Sequence, residues 1–475
     1  MTAQCAISDR RLTIDDLPES LPAVIETTPY DQHVPAMLGG DPVTLPPQMP
    51  AGLAPRSVQE VAAALAAERR QRASQTSRRT PEAAGADGSV IDKAACARLL
   101  GFLAQVPDQR DRRGVRYPLP YLLALPIVAM TAHEVQLAGI GEWVADAPED
   151  LLLALGAPLD DAGVARRPDV KAITEALAEH ADGYDRALCA WTGALARDQH
   201  QHRHRHARGP LLPRLHIDGK SQKGAAPRGG SAPMLLAARR DDGTVAAQRP
   251  VATDKTNEIT VFAPLLDQLG DAELAGTVVT ADQLHTQRGH ATYLHRRDAF
   301  YVFTVGGNQK RLFAALDALP WRQIAVEHAT VDRGHGRIEI RTIRTLPVTE
   351  RIAGLFPHAA QAFLLERYIY TTDGTPVGAV AVLGITSLTA DQADGAAILA
   401  YVRGHWSIES LHWLRDRVLG EDDSRQKRAI RAMAALRNLV IGVLHLRGIT
   451  RISRQLRACG RDPYRRPLIL LGLMT

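Results

Sequence analysis

The chain has 475 residues, 45% of them hydrophobic and 23% charged, which places it among globular proteins with length for a large core and excludes a wholly disordered one. Its four cysteines, Cys5, Cys96, Cys189 and Cys459, stand far apart with no CxxC pair, which argues against a disulfide framework or a cysteine-held zinc and suits a reducing, cytoplasmic setting. Net charge is +5, yet between Ser424 and Thr475 twelve Arg or Lys face the single acid Asp462, so the remainder is net acidic and the basic C-terminal tail suits a polyanion, most simply nucleic acid.

Residues 1–93 hold many of the prolines and an Ala/Ser/Arg-rich stretch with little periodicity, and are expected to be a poorly ordered N-terminal region. The N-terminus carries no apolar signal core. The most apolar run, 119–132, is interrupted by Pro120 and Pro126 and is shorter than the roughly 18–20 residues a bilayer span needs, so neither secretion nor membrane insertion is expected. From Ala94 the apolar spacing turns helical, with Leu99, Leu100, Phe102 and Leu103 first and further runs at 140–146, 149–155 and 170–195, which predicts a helical domain over 94–197. The His- and Arg-rich stretch at 200–209 reads as part of a linker, 198–212.

At Arg214 the period switches to that of strands. RLHID is a first strand, and 234–239 and 244–251 flank DDG, a strong hairpin signal. A helical face at 259–269, a buried strand at 277–281, a helix at 286–297 and a strand at 300–305 follow, giving the order β-β-β-α-β-α-β. That order fits an α/β fold with a mixed sheet, its core running over 213–310. Residues 311–390 are strand-rich again and read as a β-rich insertion, after which a helix over 392–418, in a second core part 391–450, returns to the sheet; 451–475 is the basic tail.

Two acids end strand-like runs, Asp218 in LHIDGKSQKG and Asp282 in VVTADQLHTQ, and a third, Glu409, lies in the helix-like YVRGHWSIESLHW. Singly, each has a plain explanation: Asp218 as a turn residue before Gly219, Asp282 as a helix cap, Glu409 as a solvent-facing partner of His405 or His412. Together they form a set of hard oxygen donors such as Mg2+ or Mn2+ prefers, and three carboxylates can hold two ions. Phosphoryl transfer through such ions needs no protein nucleophile, which is consistent with the lack of a nucleophile motif.

The ordered motifs HIDGKSQKGA, VATDKTNEIT, VVTADQLHTQRG, YVFTVGGNQ, DRGHGRIEIR and VRGHWSIESLHW resemble those of the ISAs-type (H-repeat-associated) insertion-sequence transposases, which are DDE enzymes with an RNase H-like core. VPDQRDRRGVRYPL and GIGEWVADAP resemble the region associated with that core, so the likeness covers about 94–450. The resemblance implies an RNase H-like mixed sheet behind a helical domain, with Asp218, Asp282 and Glu409 as catalytic and metal-holding residues. It also implies DNA contacts from Lys220, Lys223, Lys255, Asn257, Asn308, Gln309, Arg337, Arg403 and His405. The implied partners are double-stranded DNA at the element's inverted repeats and at the target, with a homodimer on DNA, no membrane, and a bacterial cytoplasmic protein that joins the nucleoid when bound.

Three positions depart from the family pattern. Gly306 replaces the lysine before GNQ, the helix 168–177 lacks the family's arginines, and IESLHW is one residue shorter than the family's I-E-N-x-L-H-W. A one-residue deletion turns the rest of a helix by roughly 100°, so either a local irregularity absorbs it or Glu409 and Trp413 cannot both keep their usual environments. Two alternatives accompany the transposase reading: a transposase-derived DNA-binding protein with an impaired active site, and a two-metal RNase H-like nuclease without strand transfer.

Overall fold

In the computed structural model the described residues are the two-residue strand Ile25–Glu26 (β1) and residues 90–111, 113, 115–203, 211–251, 258–334 and 336–475. Most of the expected N-terminal region 1–93, residues 204–210 of the expected linker, and both Lys255 and Asn257 lie outside them. The chain forms two compact units. The larger comprises Ser89–Thr280, Arg297–Ala299 and Gly404–Thr475; the smaller holds Ala281–Arg296 and Phe300–Arg403 with β1.

The larger unit begins with α1 (Lys93–Leu103), whose N-cap Asp92 accepts hydrogen bonds from the Ala94 and Ala95 amides at 2.9 and 3.0 Å and whose Cys96, Leu99 and Leu103 are buried on one face. The expected apolar helix is α2 (Leu119–Thr131). Pro120 falls in its first turn, where the missing N–H costs nothing, and every residue but Pro120 is buried, so α2 is the centre of a core and not a span. Among the described residues no helix is long and apolar enough to cross a membrane.

α3 (Leu137–Asp146), α4 (Glu149–Ala154), α5 (Val170–Glu179) and the long α6 (Ala181–Arg203) follow. α6 runs past the expected end of the helical domain into the stretch read as linker. The helical residues share one apolar cluster with the C-terminal part of the unit: Cys96, Leu123, Tyr184 and Trp191 belong to the same core as Ile408, Leu439, Val443, Leu456 and Leu471. The apolar faces of these helices are covered in part by residues more than 200 positions later. Fully burying one such Leu or Ile is worth about 1.5–3 kcal/mol, and the basic C-terminal stretch contributes Ile452, Leu456, Leu468 and Leu471 to this core.

The sheet of this unit is antiparallel across β2 (Arg214–Ser221), β3 (Met234–Arg240) and β4 (Val245–Val251), with Asp218 opposite Ala237. The DDG turn forms as expected: Gly243 takes φ +90°, and the Arg240 amide bonds the Thr244 carbonyl at 2.8 Å. Beside β2 on its other edge runs β5 (Val278–Ala281), whose Val278 amide donates to the Pro213 carbonyl at 2.8 Å.

In the smaller unit the strand-rich stretch 311–390 supplies four strands to one sheet. β7 (His328–Gly334), β8 (Arg337–Pro347), β9 (Gln361–Thr371) and β10 (Pro376–Thr386) pair antiparallel in turn, and β10 pairs antiparallel with β6 (Phe300–Val305), with Leu383 opposite Val305. The insertion prolongs the sheet because β6 offers it an edge. A helical N-terminal segment followed by a mixed parallel and antiparallel sheet is the expected RNase H-like architecture.

The expected helix over 392–418 is segmented. It is α-helical at Gly395–His405, interrupted at Trp406, α-helical again at Ser407–Trp413, and a π turn at Leu414–Val418, where the Leu419 amide reaches back five residues to the Leu414 carbonyl at 3.0 Å. An irregularity, one of the two outcomes expected of the shortened motif, lies just beyond it.

Candidate active site

Alternation along β2 buries Leu215 and Ile217 on one face and sets His216, Asp218 and Lys220 on the other. The helical turn Ser407–Trp413 packs on this strand, and His412 brings Nδ1 to 3.5 Å from Asp218 Oδ2. Glu409, which is exposed, precedes His412 by three residues and so shares its helix face. Burial, and then Arg415 and Lys220, hold the His412 pKa well below the ordinary histidine value, so its ring meets Asp218 as a neutral imidazole.

Lys220, expected on phosphate, is buried and turned inward. Its Nζ lies 2.7 and 2.8 Å from the two Asp416 oxygens, 3.7 Å from Asp422 Oδ1 and 4.0 Å from Glu421 Oε2. Glu421 in turn receives both Nε and Nη2 of the fully buried Arg415, at 2.8 and 2.7 Å. The network continues from Arg415 to Asn438 Oδ1 (3.2 Å), from Asn438 to Gln248 Oε1 (2.9 Å), and from Gln248 to Asp185 Oδ1 (3.0 Å). Burial alone would raise the Glu421 carboxyl, but Arg415, Arg437 and Lys220 outweigh it and hold it at about 2. At the far end burial prevails and pushes Asp185 up to about 7.

A second chain of polar side chains lies two residues behind the acids. His216 Nδ1 is 2.7 Å from Thr280 Oγ1, and Thr280 Oγ1 is 3.1 Å from His405 Nδ1. On its other side His216 Nε2 approaches Asp241 Oδ1 at 3.4 Å, and Arg214 ion-pairs the same carboxylate. Burial lowers the His216 pKa, partly offset by Asp241.

In the smaller unit Asp282 caps the turn Gln283–His285, accepting from the Leu284 and His285 amides at 3.0 and 3.4 Å, so its capping role is realised. Asn308 and Gln309, expected on DNA, brace that turn: Asn308 donates to the Gln283 carbonyl and Gln309 to the Thr286 carbonyl at 2.9 Å. Gly306 admits the Gln283 side chain, since a Cβ at Gly306 would lie 1.5 Å from Gln283 Oε1. Arg403 is buried, 3.0 Å from Asp332 Oδ2 and 3.3 Å from Thr330 Oγ1. Arg337 pairs with Glu339 at 2.6 Å.

Among the expected DNA contacts, Lys223 is well exposed. The C-terminal helix Ile452–Gly460 buries Ile452, Leu456 and Cys459 and turns Arg454 and Arg457 outward, with Arg451 and Arg461 exposed at its ends. The polar residues His216, Thr280, Asp241, Arg415, Asp416 and Glu421 did not stand out in the sequence. A usable signal existed for two: each strand-borne acid has a polar residue two places before it, which alternation puts on the same face.

Three carboxylates are the hard oxygen donors that Mg2+ and Mn2+ take, so the donor chemistry fits the implied metal. Among the described residues, however, no three His, Cys, Asp or Glu side chains are gathered closely enough to share one ion.

Residues 217–442 match the family model described as Transposase DDE domain, and residues 100–192 match the one described as DDE_Tnp_1-associated. YncI of Escherichia coli O157:H7 is 26% identical over 369 residues, covering 73% of this chain and 87% of that protein. The H repeat-associated protein YhhI of E. coli K12 is 28% identical over 206 residues, 40% of this chain and 52% of YhhI, so the match spans about half of that relative. Among solved structures, a piggyBac transposase synaptic complex with hairpin DNA aligns over 80% of this chain at 11% identity with a TM-score of 0.36, too slight a likeness to build on.

Proposed function

The chain belongs to the insertion-sequence DDE transposases related to the H-repeat-associated proteins, and from that premise we propose that it binds the inverted ends of its own element, cuts the DNA backbone, and joins the exposed 3′-hydroxyl to target DNA. Asp218, Asp282 and Glu409 are the proposed carboxylates for Mg2+ or Mn2+. Such ions, when bound, supply charge neutralisation at the phosphate and an activated water or hydroxyl. The observation that carries the reading is the approach of His412 to Asp218, which brings the helix face bearing Glu409 onto the strand bearing Asp218.

The remaining roles fall to the chain's own side chains. His412 orients the Asp218 carboxylate, and the Asn308 and Gln309 bonds hold the turn that Asp282 caps. Lys223 and the outward arginines of the C-terminal helix are suited to track phosphates, which positions DNA without reading its sequence. A pair of inverted ends makes a dimer on DNA the natural assembly.

A second reading, a DNA-binding protein with an impaired active site, is favoured by the absence of a gathered three-ligand group among the described residues. A cleavage assay separates the two. Purified full-length protein is incubated with element-end DNA and Mn2+, beside Asp218→Ala. Metal-dependent nicking and strand-transfer products that vanish in the variant are expected. Nicking that survives in Asp218→Ala would sink the assignment. End binding without nicking, together with nicking by a version carrying one residue inserted after Ser410, would establish the second reading, and nicking without joined products would make the protein a nuclease.

A further inference from the structure

We propose that Asp422 clasps two loops of the larger unit into one cationic platform that holds the phosphate backbone of double-stranded DNA; this rests on the reading of the chain as one that acts on DNA. The loops are 222–230, leaving β2, and 420–429, entering the helix Ile430–Leu446. Lys223 on the first and Arg425, Lys427 and Arg428 on the second are exposed, and no acid among the described residues pairs with the last three.

Backbone and side chains both hold the loops together. Asp422 Oδ1 accepts the Lys223 amide at 3.3 Å and lies 3.7 Å from the buried Lys220 Nζ, while Oδ2 lies 3.7 Å from Lys223 Nζ. Gln222 Nε2 donates across the same seam to Glu421 Oε1 at 3.2 Å and to the Ile430 carbonyl at 3.4 Å. A Cβ at Gly224 would lie 2.5 Å from the carbonyl oxygens of both Asp422 and Ser424, so only glycine lets the two backbones come this close.

The charges of this platform do not serve the fold. Glu421 is taken by Arg415 and Arg437, and Asp422 by Lys220 and Lys223, which leaves Asp423 as the exposed acid of its loop. Residues 425–431 then hold four cations and no acid, of which Arg431 pairs with Asp182. They stand at the start of a long helix whose first turn carries no acid, where the helix dipole disfavours positive charge. Their mutual repulsion and the dipole both act against the folded state, and a bound polyanion relieves both. Neither loop contains an aromatic residue on which an unpaired base could stack, so the fit is to the duplex backbone and not to a single strand.

The test is metal-free binding of the full-length protein to element-end duplex and to an unrelated duplex of the same length, followed by fluorescence anisotropy over a range of salt. Wild type is compared with a triple variant, Arg425→Ala with Lys427→Ala and Arg428→Ala. A charge-matched control replaces the exposed Arg296, Arg311 and Arg351 of the smaller unit by Ala, and a fourth protein carries Asp422→Ala. Each phosphate contact contributes roughly 0.9 to the slope of log affinity against log salt, so the triple variant is expected to flatten that slope by about two to three units on both duplexes, and the control by less than about one. Asp422→Ala is expected to weaken binding at fixed salt although it makes the protein more positive, the opposite of what added charge alone would do. Should Asp422→Ala fail to fold, the triple variant, confined to exposed side chains, carries the comparison. A wild-type slope in the triple variant, or an equal flattening in the control, overturns the platform and leaves the reading of a DNA-acting protein standing. Tighter binding by Asp422→Ala overturns the clasp. No binding of either duplex by wild type overturns that reading and the platform with it.

Discussion

Replacing Glu421 by Gln keeps the shape of the side chain and removes the only charge that both Arg415 guanidinium bonds reach. Arg415 is fully buried, Arg437 Nη1 lies 3.7 Å from the same carboxylate, and Lys220 lies at 4.0 Å, so three cations lose their common counter-ion. Breaking one side of a buried pair costs about 3–5 kcal/mol. The pKa gives an independent figure: a fall from 4.5 to about 2 corresponds to roughly 3 kcal/mol. In a unit of this size that is a drop in melting temperature of roughly 6–12 °C.

Because the folded pKa is lowered, the stabilisation is present above the ordinary value of 4.5 and disappears as pH falls toward 2, so the wild-type and Glu421→Gln melting curves should converge across that window. Thermal melts followed by circular dichroism at several pH values measure this. A double variant, Arg415→Met with Glu421→Leu, should be less destabilised than Glu421→Gln alone, since it leaves fewer uncompensated charges. Glu421→Gln melting within about 2 °C of wild type at neutral pH, or a gap that does not shrink in acid, would refute the reasoning.

Asp185→Asn should behave oppositely. Burial raises Asp185 from 3.8 to about 7, so what it lends the fold is present below 3.8 and lost as pH rises toward 7; the variant should gain about 2–4 kcal/mol over wild type in mild alkali and little in acid, by urea titration. Asn308→Ala should lower nicking by about tenfold while metal-free end binding holds, because it loosens the turn after Asp282; a matching loss of binding in gel shifts would return Asn308 to the DNA interface. Replacing the exposed Arg454 and Arg457 by Ala should weaken binding to any duplex and flatten the salt dependence by roughly one unit of slope per lost phosphate contact.

Local signals made much of the fold readable. The DDG hairpin, the strand at Phe300–Val305 and the buried strand before Asp282 stand where periodicity and turn chemistry place them. Partnership was harder to read. Nothing local in the sequence says that Lys220 meets Asp416, 196 positions later, or that the C-terminal helices close the core of the first ones. A lysine beside a catalytic-looking acid resembles a phosphate ligand until its tertiary neighbours are known. The same holds for Arg403, whose guanidinium is taken by Asp332. The break at Trp406 and the π turn at Leu414–Val418 depend on how the helix seats itself, which a periodicity count averages away.

Gly306 and Gln283 share one place, the Gln283 amide standing where any side chain at 306 would begin. The two positions are therefore bound in their history. A lysine regained at 306 must displace the Gln283 amide, and a lineage that kept the lysine had no room for this glutamine rotamer. The coupling runs through one flexible side chain: a residue gained at 306 requires the Gln283 side chain to leave its present rotamer. Sequences drifting from this one should vary at these two sites as a pair.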